Sequence, residues 1–314
     1  MADVLTVLAD GLPQLLVNGI VFSSIIVLGS IGLSIVYSIA DFANFAHGDT
    51  MTVGAYGALV ALGVLGTAGP ELLGLPDAVY LALLAGMAVA AVVAVLTELV
   101  VYRSMEVTSI GMLITSIGIA FVYRALVRIQ FGSDFRSYGV EYSGPIPAVQ
   151  EALGVTITER SVVIVVVAVA LVVGLHMLLQ YTTLGRKMRA MADNPDLARV
   201  SGIRTARVKL ATWAIGAGLA GAGGVFLGLY NQVTPRMGFD LLLIIFAAVI
   251  LGGIGSVYGA MLGGLVIGMV QQLVPILPRL GIPIGVEYAP ALAFVIMVAI
   301  LLVRPRGIAG GAVS

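Results

Sequence analysis

Nine apolar runs follow one another along the chain, at about residues 12–39, 50–68, 78–101, 108–129, 161–180, 207–230, 241–258, 259–275 and 287–303. About 20 mostly apolar residues cross a bilayer as a helix, because lipid offers the backbone no partner and the segment must satisfy its own N–H and C=O groups. The runs therefore predict an all-α fold, a polytopic membrane helix bundle of about eight or nine hydrophobic segments. Charge supports the same solvent. The 314 residues carry 16 basic and 16 acidic side chains, well below the roughly one quarter of a soluble protein. That excludes a soluble enzyme, a disordered chain and a nucleic-acid binder, which needs a basic surplus. Glycine is abundant at 40 residues, as expected where backbones must approach closely without a hydrophobic drive between helices. The chain has no cysteine, so disulfides, thiolate metal sites and cysteine nucleophiles are excluded.

The first run exceeds one crossing and is expected to tilt or extend. The 241–258 and 259–275 runs are separated only by Gly255-Ser256-Val257-Tyr258-Gly259, so they are either two short helices back to back or one crossing with a re-entrant segment. The expected count is eight crossings, or nine segments if these elements divide differently. No basic residue precedes Arg103, so the first run lacks the charged start of a cleaved signal peptide and is expected to be a retained span. Basic residues set orientation. Arg186, Lys187, Arg189, Arg199, Arg204, Arg207 and Lys209 crowd one connection, and Arg304 and Arg306 close the last run. With both inside the cell, the connection at about 131–160 falls outside, the N-terminus outside and the C-terminus inside. Eight crossings would return the chain to its starting side, and here the basic connection is the firmer guide. The whole of 1–314 reads as a single transmembrane domain.

The connection at about 181–207 looks folded. Arg186 to Met191 predicts a short helix with Met188 and Met191 on one side. Asn194 can cap a second helix that begins at Pro195 and runs through Leu197, Ala198 and Val200. Gly202 suits a left-handed terminus, Ile203 can fold back on the same apolar face, and Thr205 is placed to cap the next span. Two short helices at a membrane face make a compact knob. It is either a loop held to anionic headgroups or a docking element for a cytoplasmic partner, and the residues alone leave both open.

Three stretches bear on that choice. The loop residues Leu184-Gly185-Arg186, Arg189-Ala190, Asn194, Ala198 and Gly202-Ile203 resemble the coupling loop of branched-chain amino-acid ABC importer permeases of the LivH type. Asn44-Phe45-Ala46-His47-Gly48, after Tyr37, is similar to a signature of that family, and so is Leu251-Gly252-Gly253-Ile254-Gly255-Ser256 with Gly259-Ala260 and Gly263-Gly264. The resemblance covers nearly the whole chain in order. It implies a permease for leucine, isoleucine and valine in the cell membrane, working with a second, LivM-like permease, two cytoplasmic ABC ATPase subunits and an extracytoplasmic substrate-binding protein. The ATPase-coupling loop would then use Gly185, Arg186, Arg189, Ala190, Asn194, Ala198 and Gly202. Within the class, a urea or short-chain amide importer is the nearest alternative; a stand-alone channel or carrier would need no docking knob. The chain has no Gly-x-x-x-x-Gly-Lys sequence followed by Ser or Thr, so no nucleotide site, cofactor or catalytic group is expected in it.

Polar residues inside or beside the apolar runs are the remaining candidates, because such groups are costly in a bilayer and find partners or cavities. Asn44, His47 and Gly48, with Asp49, stand where the chain breaks between two runs. They are candidates for a translocation path or gate, and the plainer reading is that they satisfy backbone groups freed by the break. His176 is the only other histidine, which speaks against a metal site and for a helix–helix hydrogen bond. Glu98 and Arg103 read as interfacial anchors. Arg124 and Arg128, four apart on one helical face, either attract a substrate carboxylate or pair with Asp134 and Glu141; the pairing is the preferred reading.

Overall fold

The computed structural model describes residues 2–67, 69–105, 107–140 and 144–309, with side chains described from Gly11 onward apart from Leu153. Glu141 lies outside the described residues. The first run is long because it forms the central post of the bundle, α1 (Ala2–Ala40). Ile25, Ile26, Leu28 and Ile31 point to different sides of this helix and all are fully buried; a helix apolar all round is one enclosed on all sides. Asp41 ends it in a left-handed conformation (φ 57°), which aspartate tolerates better than most residues.

The remaining elements follow in order. They are α2 (His47–Leu65), a short hairpin of β1 (Glu71–Leu72) and β2 (Leu75–Pro76), α3 (Asp77–Val100), α4 (Ser109–Phe131), α5 (Pro147–Leu153), α6 (Glu159–Tyr181), α7 (Thr183–Asp193), α8 (Pro195–Val200), α9 (Thr205–Tyr230), α10 (Met237–Gly252), α11 (Val257–Leu273), α12 (Ile276–Arg279) and α13 (Ala289–Val303). Among the described residues, eight helical segments are long and apolar enough to cross a bilayer; α10, at 16 residues, is a shorter apolar helix. The two late runs are two helices back to back, joined by a turn in which Gly253 and Gly255 take positive φ.

Contacts between small residues give the direction of each helix. Gly32 meets Gly216 while Gly223 meets Ile25, so α1 and α9 are antiparallel. Gly264 meets Val27 and Gly268 meets Ser23, so α11 is antiparallel to α1 as well. Gln14 of α1 donates to the Thr156 carbonyl just before α6 at 3.0 Å, and further on Val17 and Val21 line one groove with Ser161 and Val165, so these two run parallel. Counting α10 as a ninth segment makes every direction alternate. The two ends of the chain then lie on opposite sides of the membrane, which removes the conflict between an eight-crossing count and the basic connection.

The packing also repeats with inverted direction. α1 lies along α11 as α9 lies along α3; α2 packs on α3 as α10 packs on α11; α2 meets α4 as α10 meets α13. The α1–α9 and α2–α10 contacts lie on the pseudo-axis between the halves. In each half the second long helix starts inside the bundle after an irregular segment, 41–46 or 231–236. Inverted repeats with broken helices at their interface are a recurring plan of membrane transporters. The exposed flanks of the bundle are apolar, with Ile129 and Leu302 each about 80% exposed, as lipid contact requires. The protein is therefore a multi-pass membrane protein.

Candidate functional site

The starts of α2 and α10 meet at the centre. A side chain at Gly48 would collide with the Gly238 carbonyl, and one at Gly238 with the Gly48 carbonyl. Thr52 Oγ1 accepts the Gly238 N–H at 3.1 Å. His47, the first residue of α2, donates from Nε2 to the Gly29 carbonyl at 2.9 Å; a carbonyl only accepts, so Nε2 carries the proton. Gly29 lies 11 residues before the end of α1, or about 16 Å at 1.5 Å per residue, so α2 begins well inside the bundle.

The break leaves backbone groups to be satisfied, and the nearby polar side chains do this. Asn44 Oδ1 accepts the Ala46 N–H at 3.0 Å, the Asn44 carbonyl accepts the His47 N–H, and Ser116 Oγ accepts the Phe45 N–H at 2.9 Å. Asn44 and His47 are both buried. Towards the end of α1 the junction is closed by packed aromatic rings, Phe42, Tyr102 and Trp213.

One side of the junction carries a charge pair that neither residue's place in the sequence reveals. Arg124 of α4 grips Asp49 with two parallel bonds, Nε to Oδ1 at 3.0 Å and Nη2 to Oδ2 at 2.9 Å. Both residues are buried. The guanidinium also lies 4.2 Å from the ring centre of Phe239, near the start of α10. Arg124 therefore pairs across 75 residues rather than with Asp134, which is exposed, because its position in α4 faces inward while Asp134 lies beyond the helix end. An arginine and an aspartate each standing in an apolar run was the available signal, since such groups seek each other.

At one end of the bundle, the 181–207 connection folds as a helical knob. Thr182 Oγ1 accepts the Gly185 N–H at 3.0 Å and starts α7, three residues before the expected Arg186. Gly185 sits flush against the end of α6, where a side chain would strike the Leu178 and Leu179 carbonyls. Met188 and Met191 are buried on one side, as their spacing predicts. Asn194 Oδ1 accepts the Leu197 N–H at 2.9 Å and Pro195 opens α8. Gly202 takes φ 81° and the Ile203 N–H returns to the Ala198 carbonyl. Ala198 is buried, but Leu197 is 64% and Val200 86% exposed; a helix of six residues has one covered side, and these two are not on it. Thr205 is the first residue of α9 and caps nothing. Arg186 and Arg189 are exposed and Ala190 is half-buried.

Arg189 donates to Gln180, Gln180 donates to the Tyr258 hydroxyl at 3.1 Å, and His176 Nδ1 meets the same hydroxyl at 2.8 Å. His176 is thus a helix–helix hydrogen bonder, and this chain of bonds ties α7 to α6 and α11. Glu98 is not an interfacial anchor: it is buried and paired with Lys209 at 2.9 Å. Among the described residues no group of histidine or acidic side chains could hold a metal ion.

Comparison with known proteins covers nearly the whole of this arrangement. The family described as the permease component of the branched-chain amino acid transport system matches residues 15–301. The LivH permease of a high-affinity branched-chain amino acid transport system of Salmonella typhimurium is 32% identical over 304 residues, 95% of each chain. The BraD permease of the corresponding system of Pseudomonas aeruginosa is 32% identical over 305 residues, again 95% of each. A probable LivH permease of Methanocaldococcus jannaschii is 29% identical over 96% of this chain and 93% of its own. No solved structure gives a significant match.

Proposed function

The chain belongs to the family of branched-chain amino acid transport permeases, and on that premise we propose that it is one of two permease subunits of an ATP-driven importer for leucine, isoleucine and valine in the cell membrane. The observation that carries this reading is the full-length match, end to end with permeases named for those substrates. Residues 1–314 act as a single permease domain. The second permease is LivM-like, two cytoplasmic ABC ATPase subunits hydrolyse the ATP, and an extracytoplasmic binding protein delivers substrate. The permease itself is not an enzyme.

The knob is the ATPase-coupling element. Gly185 fixes it against α6, Asn194, Ala198 and Gly202 shape it, and Arg186, Arg189 and Ala190 lie on its accessible surface. The exposure of Leu197 and Val200 supports this assignment, because apolar side chains held out on a rigid tip invite a protein partner. The junction at Asn44, His47 and Gly48 is the gate. Its support is that two broken helices from inverted halves abut there, so that a small shift of one helix start against the other parts them.

Uptake of labelled leucine by cells lacking this chain, with and without its restoration, tests the function. Restored uptake that isoleucine and valine compete, and that vanishes on deletion of an ATPase subunit, is the expected result. Competition by urea or short amides instead would move the substrate to that class. Uptake indifferent to the ATPase would make the protein a channel or carrier.

A further inference from the structure

A cavity of about 440 Å³ opens at the outer mouth of the bundle, walled by Arg128 and Ser133 at the end of α4, Phe135, and Pro235, Arg236 and Asp240 at the start of α10. Its size falls in the lower range of small-molecule sites. We propose that it is an entry site for a free α-amino acid in zwitterionic form. Arg128 and Arg236 face the carboxylate, Asp240 faces the ammonium group, and Phe135 and Pro235 cover an apolar side chain. The proposal rests on the importer reading and adds to it a place where the substrate is held by this subunit.

The charges have little to do for the fold. Arg236 occupies the N-cap position of α10, where a cation opposes the helix dipole. Its ion pair with Asp240 is loose, at 3.7 Å with both side chains more than half exposed, and arginine ahead of aspartate at i,i+4 is the weaker order. Arg128 makes no side-chain hydrogen bond or ion pair with another described residue.

The walls, by contrast, are fastened. Arg136 and Val233 exchange backbone hydrogen bonds at 3.0 and 2.8 Å, joining the loop after α4 to the loop before α10. The Arg136 guanidinium donates to the Phe131 carbonyl, and the buried Tyr138 hydroxyl donates to the Ala55 carbonyl at 3.1 Å. A preformed cavity with loosely held charges of both signs suits a ligand that carries both. A simple anion would meet Asp240, and a simple cation would meet two arginines. The α10 wall also adjoins the central charge pair. Phe239, adjacent to Asp240, lies under the Arg124 guanidinium.

The chain has no cysteine, so Ser133→Cys places a single thiol of matching size in the wall. The variant is assembled into the complete importer, purified in lipid nanodiscs and treated with a maleimide polymer, and the mass shift of this chain is followed. L-leucine at tens of millimolar should slow labelling several-fold. 3-Methylbutylamine and 4-methylpentanoate, which keep the hydrocarbon body but one charge each, should not, and Asp240→Asn should abolish the protection by leucine. Equal slowing by all three compounds, or none by leucine, overturns the proposal. So does slowing produced only by ligand-free binding protein, which would make the cavity a protein-docking surface. Leucine uptake by the same variant separates the two readings: uptake without protection removes the site alone, whereas a wild-type chain that restores no uptake removes the importer reading.

Discussion

Asp49→Asn leaves the Arg124 guanidinium in place and removes its counter-charge. The two side chains are 1% and 10% exposed and joined by a bidentate contact, so solvent cannot take over the lost interaction. Breaking a buried ion pair by deleting one partner costs about 3–5 kcal/mol, mostly for the charge left behind. The Phe239 ring retains part of the stabilisation, since a desolvated cation–π contact is worth about 2 kcal/mol. One kcal/mol moves a midpoint by roughly 2–4 °C for 150–250 residues, so taking the lower end for this longer chain gives a fall of roughly 6–10 °C. Because detergent-solubilised membrane proteins unfold irreversibly, the comparison is made at one scan rate. The decisive variant is the double one. Asp49→Asn with Arg124→Met removes both charges, and it should be more stable than Asp49→Asn alone, with a coupling of about 0.5–3 kcal/mol between the sites. A double variant that loses the sum of the single losses, or an Asp49→Asn protein as stable as wild type, would refute the pairing argument.

The remaining expectations use different readouts. Gly238→Ala should cut the yield of folded protein in the membrane sharply, because it meets the Gly48 backbone, while Gly63→Ala, where the space is open, should not; equal yields would deny the close contact. Leu197→Ser with Val200→Ser should leave the thermal midpoint within about 0.5 kcal/mol of wild type, as exposed positions do, yet weaken co-purification of the ATPase subunits; undiminished co-purification would take the α8 tip out of the interface. Asn194→Ala should cost about 1 kcal/mol through loss of its cap and appear as faster amide exchange confined to α8, whereas unchanged exchange would mean that the cap does not hold the knob.

How much of this was legible in the sequence depends on where each partner lies. The spans were readable because lipid forces each to be a continuous apolar run. The start of α10 was placed at 241 rather than Met237 because Asp240 interrupts the apolar pattern one turn into the helix. In the knob, Asn194, Pro195 and Gly202 announced their helix ends by local chemistry, and Thr182 could have been found by the same rule. Leu197 and Val200 were assigned to the covered face because periodicity sorts apolar from polar and cannot tell a side chain awaiting a partner from one already packed. Asp49 and Arg124 were each singled out, but a pairing across 75 residues is set by how α2 and α4 pack. The inverted repeat left no pattern to read, since its two halves agree in packing and direction while sharing little beyond glycines.

The polar residues of the central junction follow from its geometry. A helix that begins in the bundle interior exposes backbone N–H groups where no water is at hand, each costly if unpaired. In the first half Asn44, Ser116 and the α1 carbonyl of Gly29 meet that demand; at the start of α10 Thr52 does so for Gly238. Every one of these partners lies on α1, α2, α4 or the connection between α1 and α2, whereas the group that Thr52 satisfies belongs to the other half. At the junction itself α2 and α10 meet through glycine contacts and that hydrogen bond, with Phe239 under Arg124 beside them, while elsewhere the halves interlock, α1 along α11 and α9 along α3. The conspicuous asparagine and histidine are therefore supports of the backbone break, and the close approach of α2 and α10 rests on the glycines beside them.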